Sequence, residues 1–243
     1  MASRPLVIGH RGASAYAPMN TIPAFQLAAD QGADGIEFDV WLSKDGIPVI
    51  LHDLEVDGTT NGHGRVCDMT LSELKGLDAG SWKGSAYSET RIPTLDEVFS
   101  TVGGRFKLIN VEIKSDEAMI AGVEAAVLAV IQRHRLNERV IVSSFDPRVL
   151  QRFTAIAPDI QIGFLEWEGT PAEAYGLAKL VRHEALHPHF TQVDEGYLRR
   201  AQDAGRKVNT WTVNDTAEAL RLQRLGVNAI ITDTPDVMID LYR

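Results

Sequence analysis

Cysteine is almost absent from this sequence: Cys67 is the only one among 243 residues. A single cysteine excludes an intramolecular disulfide and any zinc site built on several cysteines. We interpret Cys67 as a small, half-buried filler and not as a catalytic thiol. A chain of this length can bury a sufficient core without disulfide or metal support.

Positive charge and long apolar runs are also scarce. The chain has 24 Lys and Arg against 33 Asp and Glu, a formal net charge of −9. This balance argues against a nucleic-acid partner and against attraction to an anionic membrane. No stretch approaches the roughly 18 apolar residues of a membrane span, and the first residues lack a signal-peptide pattern. We therefore expect no integral membrane segment and a cytoplasmic protein, in which any anionic substrate meets a local cation cluster or a metal.

The sequence does contain a regular alternation of short β-rich runs and helical segments. The predicted strands are Leu6–Gly9, Gly35–Val40, Lys107–Ile113, Arg139–Ser144, Gln161–Leu165, Ala185–Pro188, Lys207–Val213 and Asn228–Thr232. The predicted helices are Thr21–Gln31, Glu117–Arg133, Pro147–Ile156, Gly196–Ala204 and Ala217–Leu225. Eight alternating strands predict an α/β fold, a TIM (β/α)8 barrel that forms a single domain over residues 1–243. A doubly wound open sheet is the alternative, but a glycine-rich dinucleotide loop is missing after the first strand.

One segment departs from this alternation. Two strand-like runs flank the Asp-Gly pair at 45–46, which is a strong hairpin signal. Folding about that bond would place Asp39 opposite His52. Residues 53–93 would then form a small insertion after the second strand, with one short helix at 71–76. On this side of a barrel the insertion would overhang the active-site face.

Side chains able to carry chemistry fall at the predicted carboxyl ends of the strands, where barrel enzymes place reactive groups. Glu37 and Asp39 are two residues apart on one strand, so their side chains share a face; Glu112 and Lys114 repeat this spacing. The candidates that we select are His10, Arg11, Glu37, Asp39, His52, Glu112, Lys114 and Trp211. Asp53, Ser143–Asp146, Asn214 and Thr232–Asp233 also lie at predicted strand ends.

Three carboxylates converging from adjacent strands are costly to hold together without a cation. The all-oxygen set Glu37, Asp39 and Glu112 predicts a hard divalent ion, Mg²⁺ or Ca²⁺. The two histidines can exchange protons near neutral pH, and the arginine and lysine supply positive charge. Together these groups indicate a site for a phosphoryl ester.

Each of these groups also has a structural interpretation. A single Glu-x-Asp is typical of a solvated strand face, His52-Asp53 can be a structural pair, and Lys114 can extend from a strand end to solvent. Trp211 can be a core residue or a substrate platform. The coincidence of all groups at consecutive strand ends favours a site. We interpret the remaining histidines as surface or structural: His63, His134, His183, His187 and His189.

A longer series of motifs resembles the glycerophosphodiester phosphodiesterase family. The matching segments, in order along essentially the whole chain, are His10–Ser14, Asn20–Thr21, Glu37–Asp39, Lys44–Val49, His52–Asp53, Thr59–Gly62, Val111–Lys114, Ser144–Asp146, Trp211–Asn214 and Ile231–Pro235. The resemblance implies a TIM barrel with a small insertion after the second strand. It also implies metal ligands Glu37, Asp39 and Glu112, an acid–base pair His10 and His52, phosphate binding by Arg11 and Lys114, and Trp211 at the substrate pocket.

The function implied by the resemblance is metal-dependent hydrolysis of glycerophosphodiesters to sn-glycerol 3-phosphate and an alcohol. One alternative is a lysophospholipase-D-like enzyme of the same fold, and another is a catalytically weakened phosphodiester-binding protein. Two positions depart from the family pattern: Met19 stands where the family normally has glutamate, and Gly58 where it commonly has arginine. Head-group preference, the choice between Mg²⁺ and Ca²⁺, and the oligomeric state lie beyond the sequence.

Overall fold

The computed structural model describes residues 4–115 and 122–243. Its nine strands are β1 Leu6–His10, β2 Gly35–Leu42, β3 Pro48–Ile50, β4 Leu108–Ile113, β5 Val140–Ser144, β6 Gln161–Glu166, β7 Ala185–Pro188, β8 Lys207–Thr210 and β9 Ala229–Thr232. Eight of them pair in parallel in the order β1-β2-β4-β5-β6-β7-β8-β9, and β9 pairs again with β1. This closed barrel confirms the predicted TIM fold and excludes the open sheet. The short β3 pairs antiparallel with β2 outside the barrel.

The helices of the described residues are α1 Ile22–Asp30, α2 Leu71–Gly76, α3 Leu95–Val102, α4 Val123–Arg133, α5 Pro147–Ile156, α6 Ala172–Ala178, α7 Glu195–Asp203, α8 Thr216–Leu225 and α9 Pro235–Leu241. Four of the five helices predicted between strands agree to within one residue at each end. The predicted helix Glu117–Arg133 starts in a stretch, 116–121, that lies outside the described residues. None of the described helices is long and apolar enough to cross a bilayer.

Alternation along β2 separates the core from the barrel interior. Phe38 is fully buried on the outer face, where its ring packs 5.5 Å from Phe25 of α1 and 6.3 Å from Phe99 of α3. Its neighbours Glu37 and Asp39 therefore face inward, because successive side chains of a strand point to opposite sides. The apolar layer between strands and helices thus determines which carboxylate side chains point into the barrel.

The β2–β3 hairpin differs from the prediction by one residue. Its loop has three residues, 44–46, and ends with Gly46 at φ 79°, in the left-handed region. A three-residue loop of this kind commonly replaces the two-residue turn that Asp-Gly also favours. Asp39 accordingly lies opposite Leu51, whose N–H donates to the Asp39 carbonyl at 3.1 Å, and the predicted pairing of Asp39 with His52 is wrong.

The segment after β3 forms a small unit with its own apolar cluster. Val56, Val66, Leu74 and Ile92 are buried there against Trp41 of β2. The predicted short helix is α2, at the predicted bounds.

Three of the described helices, α3, α6 and α9, were not predicted, although the sequence contains a signal for α3. Its first turn carries a Thr–Glu capping box, in which the Thr94 hydroxyl and the Glu97 carboxylate each accept the other's backbone N–H.

Candidate active site

A cavity of about 150 Å³ opens at the carboxyl end of the barrel strands. Its lining residues are His10, Arg11, Glu37, His52, Asn110, Glu112, Lys114, Phe145, Leu165, Trp211 and Ile231. Seven of the eight predicted site residues line it. The eighth, Asp39, lies behind this lining and is only 1% exposed.

The three predicted carboxylates form one buried cluster. Asp39 of β2 and Glu112 of β4 are register partners, and Glu37 lies two residues before Asp39 on the same face. Each offers an oxygen atom within 4.8 Å of the other two. Burial, followed by repulsion from the neighbouring carboxylates, raises the pKa of Glu37 well above its usual range. Burial likewise raises the pKa of Glu112 to about 7.

This cluster fits a divalent cation. The ligand set is entirely oxygen, the preference of Mg²⁺ and Ca²⁺. Burial keeps the pKa of both Glu37 and Glu112 above the usual range despite the neighbouring cations. A dication at this position would lower the energy of the ionised carboxylates.

Two cationic side chains lie against the same carboxylates. The Lys114 Nζ is 2.8 Å from Glu112 Oε1 and 3.2 Å from Asp39 Oδ1. The Arg11 Nε lies 3.4 Å from Asp39 Oδ2 without a hydrogen bond. Although burial raises the pKa of Asp39, the charges of Lys114 and Arg11 outweigh it and hold that pKa well below its usual range. The pocket therefore joins a carboxylate cluster to two cations that can also face a phosphate.

His10 is oriented by Asp233, which is not among the site residues predicted from the sequence. Its Nδ1 donates to Asp233 Oδ1 at 2.7 Å, which leaves Nε2 as the free ring nitrogen. The Asp233 carboxylate also accepts from Ser14 Oγ at 2.8 Å and from Asn214 Nδ2 at 2.6 Å. Although burial raises the pKa of Asp233, these bonds lower it to about 2. The signal was its position directly after the eighth predicted strand.

His52 is held by the adjacent Asp53, as the sequence suggested. Its Nδ1 lies 2.7 Å from Asp53 Oδ1, and its side chain is 34% exposed. Burial lowers the pKa of His52, as do the nearby Lys114 and Arg11, while Asp39 and Asp53 oppose the shift. Two histidines, each paired to a carboxylate through Nδ1, thus face one cavity.

The loop between β1 and α1 brings Arg11 over the carboxylates. Arg11 adopts φ 55°, and its backbone N–H donates to Glu37 Oε2 at 3.1 Å. Further along this loop, Asn20 donates from Nδ2 to Asp39 Oδ2 at 2.8 Å, a positioning contact that was not predicted from the sequence. Met19 contacts the guanidinium, with its Sδ 3.4 Å from Arg11 Nη1.

Trp211 forms part of an aromatic wall at the mouth of the cavity. Its ring meets Phe145 edge-on at 5.6 Å and His189 at 5.2 Å. The indole N–H donates to the His187 carbonyl at 2.8 Å, so the ring is fixed. The His187 side chain lies inside the barrel, where burial lowers its pKa to about 3, and it does not line the cavity.

Residues 10–237 match the glycerophosphoryl diester phosphodiesterase family. The chain belongs to this family. A glycerophosphodiester phosphodiesterase of Caldanaerobacter subterraneus is 42% identical over 99% of this chain and 98% of its own length. One of Bacillus subtilis is 32% identical over 96% of this chain and 85% of its own length.

Solved structures of family members share the barrel. An Oleispira antarctica phosphodiesterase in complex with the product sn-glycerol-3-phosphate has a TM-score of 0.91 at 36% identity, and the alignment covers 98% of this chain and 96% of that one. A glycerophosphodiester phosphodiesterase of Thermotoga maritima has a TM-score of 0.78 at 30% identity, with 99% of this chain and 100% of that one covered.

Proposed function

We propose that this chain catalyses the metal-dependent hydrolysis of glycerophosphodiesters to sn-glycerol 3-phosphate and an alcohol. The observation that carries the proposal is the buried trio Glu37, Asp39 and Glu112, which shares one cavity with two cations and two carboxylate-paired histidines. Family membership supports it, and so does the product bound by the Oleispira antarctica relative.

The metal would be held by Glu37, Asp39 and Glu112, with Mg²⁺ or Ca²⁺ as the ion. When bound, it supplies Lewis-acid stabilisation of charge on the phosphoryl oxygens. Arg11 and Lys114 bind the phosphate and offset the same charge from the protein side. Trp211 borders the substrate at the mouth of the cavity.

Proton transfer falls to the histidines. His10 acts as the base on the nucleophile, which is water or the glycerol 2-hydroxyl, because Asp233 fixes its ring through Nδ1 and leaves Nε2 free to accept a proton. His52 donates a proton to the leaving alcohol and is oriented by Asp53. Attack by water breaks the bond to the alcohol and gives sn-glycerol 3-phosphate directly. Attack by the 2-hydroxyl expels the alcohol and leaves a cyclic glycerol phosphate, and a water molecule must then open this ring to give sn-glycerol 3-phosphate.

The exposed apolar surface favours small head groups over lysophospholipids. Within residues 53–93, Trp82 is the only large apolar side chain that is exposed, and the leucine, isoleucine, valine and methionine side chains pack into the insertion's own cluster. A lipid-binding surface requires a larger continuous apolar patch. The lysophospholipase-D-like alternative therefore has less support.

The test is a coupled assay for sn-glycerol 3-phosphate release from a panel of glycerophosphodiesters, with and without chelator. Release that stops with chelator and returns with added Mg²⁺ or Ca²⁺ is the expected result. Choline release from lysophosphatidylcholine but not from glycerophosphocholine would support the lipid-directed alternative. Binding without turnover of any substrate would indicate the phosphodiester-binding protein.

A further inference from the structure

Asn110 is an unexplained polar residue of the catalytic cavity. It lies on β4, is only 2% exposed, and lines the cavity beside the carboxylate cluster. Neither its Oδ1 nor its Nδ2 has a hydrogen-bond partner among the described residues. A buried amide left unpaired destabilises the fold, so such a group in a cavity points to a ligand that completes it.

Other asparagines near the site are paired. Asn20 donates to Asp39 at 2.8 Å, and Asn209 donates to His187 at 3.0 Å within the barrel. Asn214 donates to Asp233. Among these four asparagines, Asn110 is therefore the one whose side-chain amide has no hydrogen-bond partner among the described residues.

The position of Asn110 separates it from the phosphate-binding cations. Its register partner on β2 is Glu37. Asn110 therefore lies two residues deeper along the strands than the register pair Asp39 and Glu112. Leu165 and Ile231 are the apolar residues that line the same cavity from other strands. A substrate with its phosphate on Arg11 and Lys114 would direct another part of the molecule toward Asn110.

The chemistry of the amide selects the group that it can bind. An asparagine side chain offers both a donor and an acceptor. A hydroxyl can match both, whereas a phosphate oxygen only accepts and an ammonium only donates. A cavity of about 150 Å³ is of a size to hold a short polyol.

We propose that Asn110 binds a hydroxyl of the glycerol moiety and thereby sets the selectivity of this cavity for glycerol phosphates. This inference rests on the proposed function and adds the residue that distinguishes glycerol from other alcohols. A site built to hydrogen-bond a hydroxyl discriminates strongly against analogues that lack it.

The test compares the binding of three ligands by titration calorimetry in buffer containing Mg²⁺: sn-glycerol 3-phosphate, 3-hydroxypropyl phosphate and propyl phosphate. The wild-type protein should bind sn-glycerol 3-phosphate at least tenfold more tightly than propyl phosphate. The intermediate ligand lacks only the 2-hydroxyl and shows which hydroxyl is bound. In Asn110→Ala and Asn110→Val the preference should shrink to about threefold or less, with propyl phosphate affinity unchanged.

Asn110→Val has nearly the volume of asparagine and favours a strand, so it carries the test if the alanine variant does not fold. The matched control is Ser143→Ala, which also removes an unpartnered buried polar atom inside the barrel but does not line the cavity. This control should keep the wild-type preference.

An unchanged preference in both Asn110 variants, or equal weakening of all three ligands, would overturn the assignment. Failure of the proposed function is distinct, because it appears as absent turnover of every phosphodiester by wild-type protein. The binding preference does not depend on turnover.

Discussion

At the scale of single residues, Arg11 shows how one neighbour can alter a site. Its guanidinium lies between Asp39, 3.4 Å from Nε, and Met19, whose Sδ is 3.4 Å from Nη1. A thioether accepts only a weak hydrogen bond and carries no charge. The arginine is therefore placed by packing and by Asp39, which among the described residues is the only carboxylate within ion-pair distance of its guanidinium.

We predict that Met19→Glu tightens divalent-metal binding and raises activity at limiting metal. The added carboxylate brings negative charge near the metal cluster, while its pairing with Arg11 makes that arginine less available to phosphate. We expect the metal effect to be larger, because pairing orients Arg11 but does not remove its charge. The effect on metal binding and the effect on Arg11 are each below about 1 kcal/mol for an exposed pair of charges, and several-fold larger for a partly buried pair.

Metal titration of the variant and the wild type checks this prediction. Gln26→Glu, which adds the same charge on the exposed side of α1, serves as the control. Equal metal affinity in all three proteins would show that Met19 is a neutral replacement.

The two histidines should give a bell-shaped pH profile of kcat/KM. Burial lowers the pKa of His52, and the Asp53 carboxylate opposes that shift because it favours the protonated ring. Asp53→Asn should therefore lower the pKa of the limb that His52 controls. With His52 as the acid, the alkaline limb moves to lower pH.

The measurement is the pH profile of both proteins at saturating metal. Movement of the acidic limb instead would exchange the roles of His10 and His52. A profile in which neither limb moves would show that His52 does not titrate in the reaction.

At the scale of elements, Asp34 connects neighbouring strands at the amino-terminal end of the barrel, opposite the cavity. It lies just before β2. Its carboxylate accepts from Arg4 at 2.6 Å, from Lys107 at 2.8 Å and from the backbone N–H of Val7 at 3.1 Å. These bonds join the beginnings of β1, β2 and β4. Although burial raises the pKa of Asp34, the bonds from Arg4 and Lys107 outweigh it and leave that pKa below its ordinary value.

We predict that Asp34→Asn lowers the free energy of unfolding by about 1–2 kcal/mol at pH 7, a value reduced because both cations are partly exposed. The lowered pKa means that the carboxylate stabilises the fold above its unfolded pKa near 4, and that this contribution disappears as pH falls through the folded pKa. The difference between variant and wild type should thus shrink in acid. Urea unfolding at pH 7 and pH 3 measures it.

The control is Asp30→Asn, which removes an exposed pair with Arg105 and should cost below about 0.5 kcal/mol. A difference between Asp34→Asn and wild type that is equal at both pH values would contradict the account.

Element by element, the sequence predicted strands better than their connections. The two-residue spacing on β2 predicted that Glu37 and Asp39 share a face, and both belong to the buried carboxylate cluster. The hairpin register was not predictable from Asp-Gly alone, because the same pair suits a two-residue and a three-residue loop. The short helices α6 and α9 have seven residues each and too few turns for a clear period.

At the scale of the whole molecule, closure of the barrel brings together residues far apart in sequence. His10 is the last residue of β1, and its partner Asp233 directly follows β9, which is adjacent to β1 because the sheet closes. The convergence of candidate residues was predictable from strand ends. Partners such as Asn20, which reach the site through loop geometry at φ 60°, carried no periodic signal.

The central claim is that the buried carboxylate trio holds a divalent metal required for phosphodiester hydrolysis. Glu37→Gln and Glu112→Gln each keep the side-chain shape but remove one anionic ligand. Glu124→Gln is the matched control, because Glu124 is also a buried glutamate but pairs with Arg152 away from the cavity.

The most direct measurement is sn-glycerol 3-phosphate release from chelator-treated wild type, Glu37→Gln, Glu112→Gln and Glu124→Gln as Mg²⁺ or Ca²⁺ is added back, with circular dichroism to confirm folding. We predict that wild type and Glu124→Gln recover activity with metal, while the folded Glu37→Gln and Glu112→Gln proteins release no product. Undiminished release by chelator-treated Glu112→Gln would contradict the account.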